Sequence, residues 1–196
     1  MRCPLTIANQ RRVLCIFPAY TPSFGTFSHA YSFIAGVRAF MPPQGLLLIA
    51  AYMPEMWPVR FIDENIAAAT AADLAWADIV LVSGMHIQRP QIHDICTRAK
   101  AAGKVTVLGG PSVSGAPEFY PEFDYLHIGE IGDATDQLIA RLEAFVNHVS
   151  GGDEKAVFAF AEDFVAAHFK RLIRLVEHLC VSAQGPLITT ANKVGH

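Results

Sequence analysis

The sequence predicts an α/β protein, a doubly wound five-stranded parallel sheet with a short C-terminal αβ appendage. Three observations carry this. Five short apolar runs, at 13–17, 59–63, 79–83, 105–108 and 125–128, are separated by stretches with helical character. Runs apolar on both faces belong to parallel sheets covered by helices on each side. Hydrophobic residues make up 52% of the 196-residue chain and charged residues 17%, which excludes a disordered chain and provides for elements buried on all sides.

The elements follow in order. Val13-Leu14-Cys15-Ile16-Phe17 is a strand that stops at Pro18. Residues 18–41, rich in Ser, Thr, Gly and aromatic side chains without a clear period, read as a long loop that has room for one helical turn. Pro42-Pro43 opens a helix through Leu46 to Ala51, since proline is tolerated in a first turn. Val59 to Asp63 is the second strand, 73–77 a short helix, and Ile79 to Ser83 the third strand. A helix over 91–102 stops at Gly103, where glycine accepts the left-handed backbone of a helix end. The fourth strand, 105–108, runs into Gly109-Gly110-Pro111, and the fifth, 125–128, into Gly129-Glu130. Leu138, Ile139, Leu142 and Val146 stand at helical spacing within 135–149. This makes 11–149 one domain, 150–155 a linker and 156–196 a separate segment.

Composition narrows the function. A net charge of −3 gives no basic stripe for nucleic acid. No apolar run approaches the roughly 18 residues of a membrane span, and the N-terminus lacks a charged-then-apolar secretion pattern. Cys3, Cys15, Cys96 and Cys180 are scattered without a C-x-x-C pair, so neither a disulfide scaffold nor a zinc site is expected. A cytoplasmic, reduced setting follows as the expectation.

Doubly wound sheets bind ligands beyond the carboxyl ends of their strands, which directs attention to the loops after Phe17, Ser83, Leu108 and Ile128. In Gly109-Gly110-Pro111-Ser112-Val113-Ser114 the glycines expose bare backbone to a ligand and the serines add hydroxyls; the plainer reading is a tight strand-to-helix turn. Ser83-Gly84-Met85-His86 offers a hydroxyl and an imidazole, or simply a helix cap and a bonded loop residue. His93 lies seven residues further on, with no partner ligand in the sequence to complete a metal set. Gly129-Glu130-Ile131-Gly132 is neither a P-loop nor a dinucleotide fingerprint. Asp63 reads as a loop cap, and Glu118 and Glu122, flanked by Pro117 and Pro121, as a solvated loop. No G-x-S-x-G elbow supports hydrolysis.

Taken together these segments resemble the N-terminal cobalamin-binding domain of cobalamin-dependent radical S-adenosylmethionine enzymes, over roughly residues 11–146. The likeness rests on Pro42-Pro43-Gln44-Gly45-Leu46-Leu47, Val59 to Asn65, Ala77-Asp78-Ile79-Val80, Gly109 to Ser114 and Ile128-Gly129-Glu130. It implies a flavodoxin-like or Rossmann-like cobalamin-binding fold with cobalamin as ligand. The site would comprise Ser83, Gly84, Met85, His86, Gly109, Gly110, Pro111, Ser112, Gly129 and Glu130. Ser83 would contact the base of the nucleotide tail, and the two glycines would leave room for it.

Two departures bear on chemistry. Corrinoid methyl carriers place D-x-H-x-x-G after the first strand; here His29 has Phe27 and Ser32 in place of the aspartate and glycine. No catalytic residue and no protein metal ligand is therefore expected, and His86 is only a weak candidate for the lower face of cobalt. The family also continues into a barrel whose C-x-x-x-C-x-x-C motif holds a [4Fe–4S] cluster, and the four cysteines do not have that spacing. Residues 157–164 and 168–172 resemble a strand and helix from inside that barrel, with 187–191 as a next strand; the plainer reading is an amphipathic helix around 164–179. The expectation is a cobalamin-binding module without its own cluster or S-adenosylmethionine site, not catalytic alone, served by a radical enzyme partner or by self-association. The alternatives are an enzyme component completed by another chain or a longer sequence, and another flavodoxin-like ligand-binding domain such as a flavin domain.

Overall fold

A computed structural model describes residues 10–23, 41–144 and 156–158, with positions 26, 31, 33, 34 and 39 between the first two stretches. His29, Cys3 and Cys180, the linker, and the helix and strand expected beyond residue 158 lie outside the described residues.

All five expected strands form: β1 (Val13–Phe17), β2 (Val59–Asp63), β3 (Ile79–Ser83), β4 (Val105–Gly109) and β5 (Tyr125–His127). The sheet is parallel throughout, in the order β2-β1-β3-β4-β5, which is the flavodoxin-like winding with its switch point between β1 and β3. A sixth short strand, β6 (Ala156–Phe158), pairs in parallel with β5. The sequence assigns these residues to a segment apart from the domain; in the structure they extend its sheet.

Helices α1 (Gln44–Tyr52), α2 (Ala71–Trp76), α3 (Arg89–Ala101), α4 (Pro111–Gly115) and α5 (Asp133–Ala144) connect the strands. Their ends are set locally. Thr70 Oγ accepts the Asp73 N–H while the Asp73 carboxylate accepts the Thr70 N–H, a reciprocal capping box. Gly103 takes φ +68° just past α3, as expected of a glycine stop. At α5 the Thr135 hydroxyl accepts the Gly132 N–H and the Gly132 carbonyl accepts the Thr135 N–H.

Strand residues alternate between faces, which divides the core in two. Leu14, Ile16, Val80, Val82, Leu108 and Leu126 pack under α2 and α3 with Tyr120 and Phe123. Val13, Cys15, Phe17, Ile79, Leu81 and Val107 pack under α1 and α5. Burial pushes the Cys15 thiol up to about 12 and the Cys96 thiol up to about 11, so both stay protonated, unreactive core side chains. Among the described residues no helix is long and apolar enough to cross a membrane.

Leu81, 1% exposed at the middle of β3, is expected to cost about 2–5 kcal/mol when changed to Ala. Urea unfolding at equal m-value measures this, and a loss below about 1 kcal/mol would mean that the α1/α5 layer collapses onto the gap.

Candidate functional site at the carboxyl edge

All ten residues expected to bind a cofactor lie on three neighbouring loops, after β3, β4 and β5. The loops are stitched together by backbone and hydroxyl contacts. Ser83 and Gly109 are register partners at the ends of β3 and β4. The Ser112 N–H donates to the Gly84 carbonyl at 3.1 Å, and the Gly129 N–H donates to Ser114 Oγ at 3.0 Å. The Met85 N–H donates to Gln88 Oε1 at 2.9 Å. Pro111, Gly129 and Glu130 are exposed on the rim.

The two glycines of the β4 turn do different work. Gly110 has φ +91° and ψ −176°, a region essentially restricted to glycine. A Cβ there would lie 2.4 Å from Ser83 Oγ and 3.3 Å from the Gly84 nitrogen, so the space beside Gly110 is already taken by the β3 loop. Gly109 is unstrained, and its Cβ would meet His127 Cβ at 3.7 Å and Ile49 Cδ1 at 3.8 Å, ordinary contact distances. The opening in the side-chain layer is therefore at Gly109, on the α1/α5 face. Gly84 has a third role: a Cβ there would come within 2.9 Å of Ile92 Cδ1, so it admits α3 close to the loop.

Ser112 and His86 turn to the other face. Ser112 is fully buried, and its hydroxyl bonds both the Tyr120 hydroxyl and His86 Nδ1, the latter at 3.1 Å. Arg89 Nη2 also approaches His86 Nδ1, at 3.2 Å. A guanidinium only donates, so Nδ1 accepts and the ring proton sits on Nε2. His86 thus presents a donor outward rather than a lone pair for a cation. Beside it the Arg89 guanidinium lies 3.9 Å over the Phe119 ring. His93, ion-paired to Glu122 at 2.6 Å and stacked on Tyr120, belongs to this same internal cluster, so Glu122 is tied down rather than free in solvent. Among the described residues no three His, Cys, Asp or Glu side chains gather as a metal cluster.

The loop after β1 is fastened between its neighbours. The Pro18 carbonyl accepts the side-chain amides of both Asn65, at 3.3 Å, and Gln88, and the Tyr20 N–H donates to Asn65 Oδ1 at 2.8 Å. Asp63 caps this turn through the Asn65 backbone and side-chain N–H groups, at 2.8 and 2.7 Å. That is the structural role expected of it.

One residue was not singled out by the sequence. His127, the last residue of β5, is 1% exposed. Its Nε2 pairs with Thr135 Oγ at 2.8 Å, while its Nδ1 is buried without a hydrogen-bond partner. An unmet buried polar atom costs about 1–3 kcal/mol. Desolvation holds the His127 pKa below its ordinary value of 6.5. Strand alternation puts His127 on the same face as Ser83 and Gly109, and its place in register with Gly109 was the available signal. Across β1, β3, β4 and β5 this edge of the α1/α5 face reads Phe17, Ser83, Gly109, His127.

A doubly wound parallel domain whose carboxyl edge sets a hydroxyl and an imidazole on either side of a bare glycine belongs to the class that binds small ligands at strand ends. Within that class, the sequence profile of the B12 binding domain matches residues 33–139, more than half of the chain, and the chain belongs to that family. It is 67% identical over 134 residues, 68% of its length, to the hopanoid C-2 methylase of Rhodopseudomonas palustris (strain TIE-1). It is 33% identical over 107 residues, 55% of its length, to an uncharacterized methyltransferase of Synechocystis sp.. The chain spans 25% and 20% of the lengths of these two relatives.

Two outcomes follow from this geometry. Gly110→Ala should destabilise the domain by at least about 1–3 kcal/mol from backbone strain alone. Adding Ser83→Ala should recover part of the loss, because the hydroxyl that the new methyl meets is gone; strict additivity in this double-mutant cycle would show that the two residues do not press on each other. Because His127 is held neutral, the unfolded chain binds a proton more readily below pH 6.5. Stability should be fully present above that value and decline as pH falls toward 5. Asp73 and Asp78 do not contribute in that window, since their bonds to Thr70 and Arg12 hold them below 3.8. Urea midpoints at pH 7 and 5 should converge in His127→Phe, and an undiminished slope would assign the effect elsewhere.

Proposed function

We propose that this domain holds cobalamin by its nucleotide tail, which enters at the carboxyl edge between the sheet and the α1/α5 pair. The observation that carries the reading is the missing side chain at Gly109, in a buried row that is otherwise closed. Its walls suit a tail with both apolar and polar parts: Ile49 of α1 on one side, the Ser83 hydroxyl and the His127 imidazole along the row. When bound, cobalamin would supply a cobalt centre able to carry a methyl group.

The chain's own residues do the holding. Ser83 offers a hydroxyl to the base, Gly109 leaves the space and Gly110 keeps the β4 turn tight against Ser83. Gly84, Met85 and Pro111 shape the loops, and Gly129 and Glu130 border the rim. Ser112 and His86 position the β3 and β4 loops through Tyr120. No residue of this set is assigned to cobalt. By its likeness to the two methyltransferases, the domain serves as the cobalamin module of a radical S-adenosylmethionine methyltransferase in a reduced cytoplasmic setting. The remaining chemistry belongs to a catalytic part contributed by further sequence or by a partner.

Purified chain mixed with hydroxocobalamin and desalted should retain about one corrinoid per chain by its visible spectrum. Gly109→Val should lower retention at least tenfold while the circular dichroism melt stays cooperative, and the smaller Gly109→Ala should fall between. Ser83→Ala should weaken binding by about 0.5–1.5 kcal/mol, the worth of one hydrogen bond. Absence of corrinoid from the wild-type chain would refute the reading, and equal retention by Gly109→Val would move the tail elsewhere.

A further inference from the structure

The imidazole of His127 has one satisfied nitrogen and one that is not. Thr135 Oγ accepts the Gly132 N–H at 3.2 Å and lies 2.8 Å from His127 Nε2. The hydroxyl still has its own proton to give, and among the described contacts Nε2 is the acceptor next to it. Thr135 therefore donates to Nε2, and the ring proton of the neutral imidazole sits on Nδ1. That N–H is buried with nothing to bond. It belongs to the residue that flanks the Gly109 opening, with its Cβ 3.7 Å from where a Gly109 Cβ would be. Buried donors are nearly always paired, and one left over beside an opening marks a place for an incoming acceptor.

We propose that His127 is a tail-binding residue, its Nδ1–H donating to an oxygen or nitrogen acceptor on the nucleotide tail of cobalamin, with Thr135 fixing the tautomer that makes this possible. The inference rests on the cobalamin reading above and adds to it a specific donor on β5. It also explains why a polar ring stands in an otherwise apolar layer with α1 and α5. The Thr135 bond alone would be served by any side chain with an acceptor at the Nε2 position, whereas a ligand contact needs a donor at the Nδ1 position.

Amide side chains separate the two roles, because Asn places its amide near Nδ1 and Gln places its amide near Nε2. The experiment is hydroxocobalamin titration of the 196-residue chain, followed by its visible spectrum, with thermal melts of the cobalamin-free proteins recorded in parallel. His127→Phe should bind at least tenfold more weakly than wild type. His127→Asn should come back to within about threefold of wild type, and His127→Gln should bind like His127→Phe, even where Gln is the more stable fold. Thr135→Val, which keeps the ring but frees its tautomer, should weaken binding by a smaller factor. Restoration by Gln and not by Asn, or equal affinity in Phe and wild type, would overturn the assignment and leave His127 as a structural partner of Thr135. A wild-type chain that takes up no hydroxocobalamin would overturn it together with the cobalamin reading, whereas variant results that differ from these expectations while wild type binds would overturn it alone.

Discussion

The phase of the parallel strands is the constraint on which the site depends. Val13, Ile79 and Val105 are paired at the starts of β1, β3 and β4, and five-residue strands then end together with Phe17, Ser83 and Gly109 in one row. A slip of one residue would send every side chain to the opposite face. In a sheet apolar on both sides such a slip would sacrifice little hydrophobic burial, so polar contacts at the strand starts have to fix the phase. Asp78 meets Arg12 through both the backbone N–H and the guanidinium, at 2.8 Å each. The Asp124 carboxylate accepts the Thr106 N–H and hydroxyl, also at 2.8 Å. The exposed Arg12–Asp78 pair contributes little as an ion pair, yet it sits where register is decided, at the far edge from the residues whose alignment it secures.

The loops at the carboxyl edge are held by contacts that tolerate few substitutions. The Pro18 carbonyl, shared by Asn65 and Gln88, ties the loops of β1, β2 and β3 together from the inside. The left-handed turn at Gly110 presses the β4 loop onto Ser83 and Gly84. These contacts leave Ser83 and Gly109 on a rigid frame rather than on wandering loop tips. Such fixity is what a site for a large ligand requires if ordering costs are to be met before binding.

Much of this was legible in the sequence. The strands were, because each is a short apolar run stopped by a turn residue, and so were the helix ends at Pro42-Pro43 and Gly103. The loops that form the edge followed from the sheet type. Distances along the chain did not reveal which face each residue takes. Ser112 reads as a ligand hydroxyl until Tyr120, eight residues on, is seen to bond it. The Gly109-Gly110 pair reads as one feature, although only Gly110 needs its φ and only Gly109 borders open space. His127 reads as part of a strand because its significance depends on a neighbour in register, eighteen residues away. The three residues of β6 carry too little pattern to be joined to the sheet in advance.

The two faces of the edge are unlike in how their polar groups are used. Under α3, Ser112, Tyr120, His86, Arg89, His93 and Glu122 bond or stack on one another. That cluster is closed, and a ligand entering it would have to break contacts of about the strength it could offer. Under α1 and α5, Gly109 contributes no side chain and His127 keeps an unpaired nitrogen. A ligand on that face would gain a hydrogen bond without first removing one. The difference in unmet polar groups, more than the presence of serines and histidines, is the physical reason for placing the ligand on the α1/α5 side. It also explains why residues with equally suitable chemistry on the α3 side act as framework.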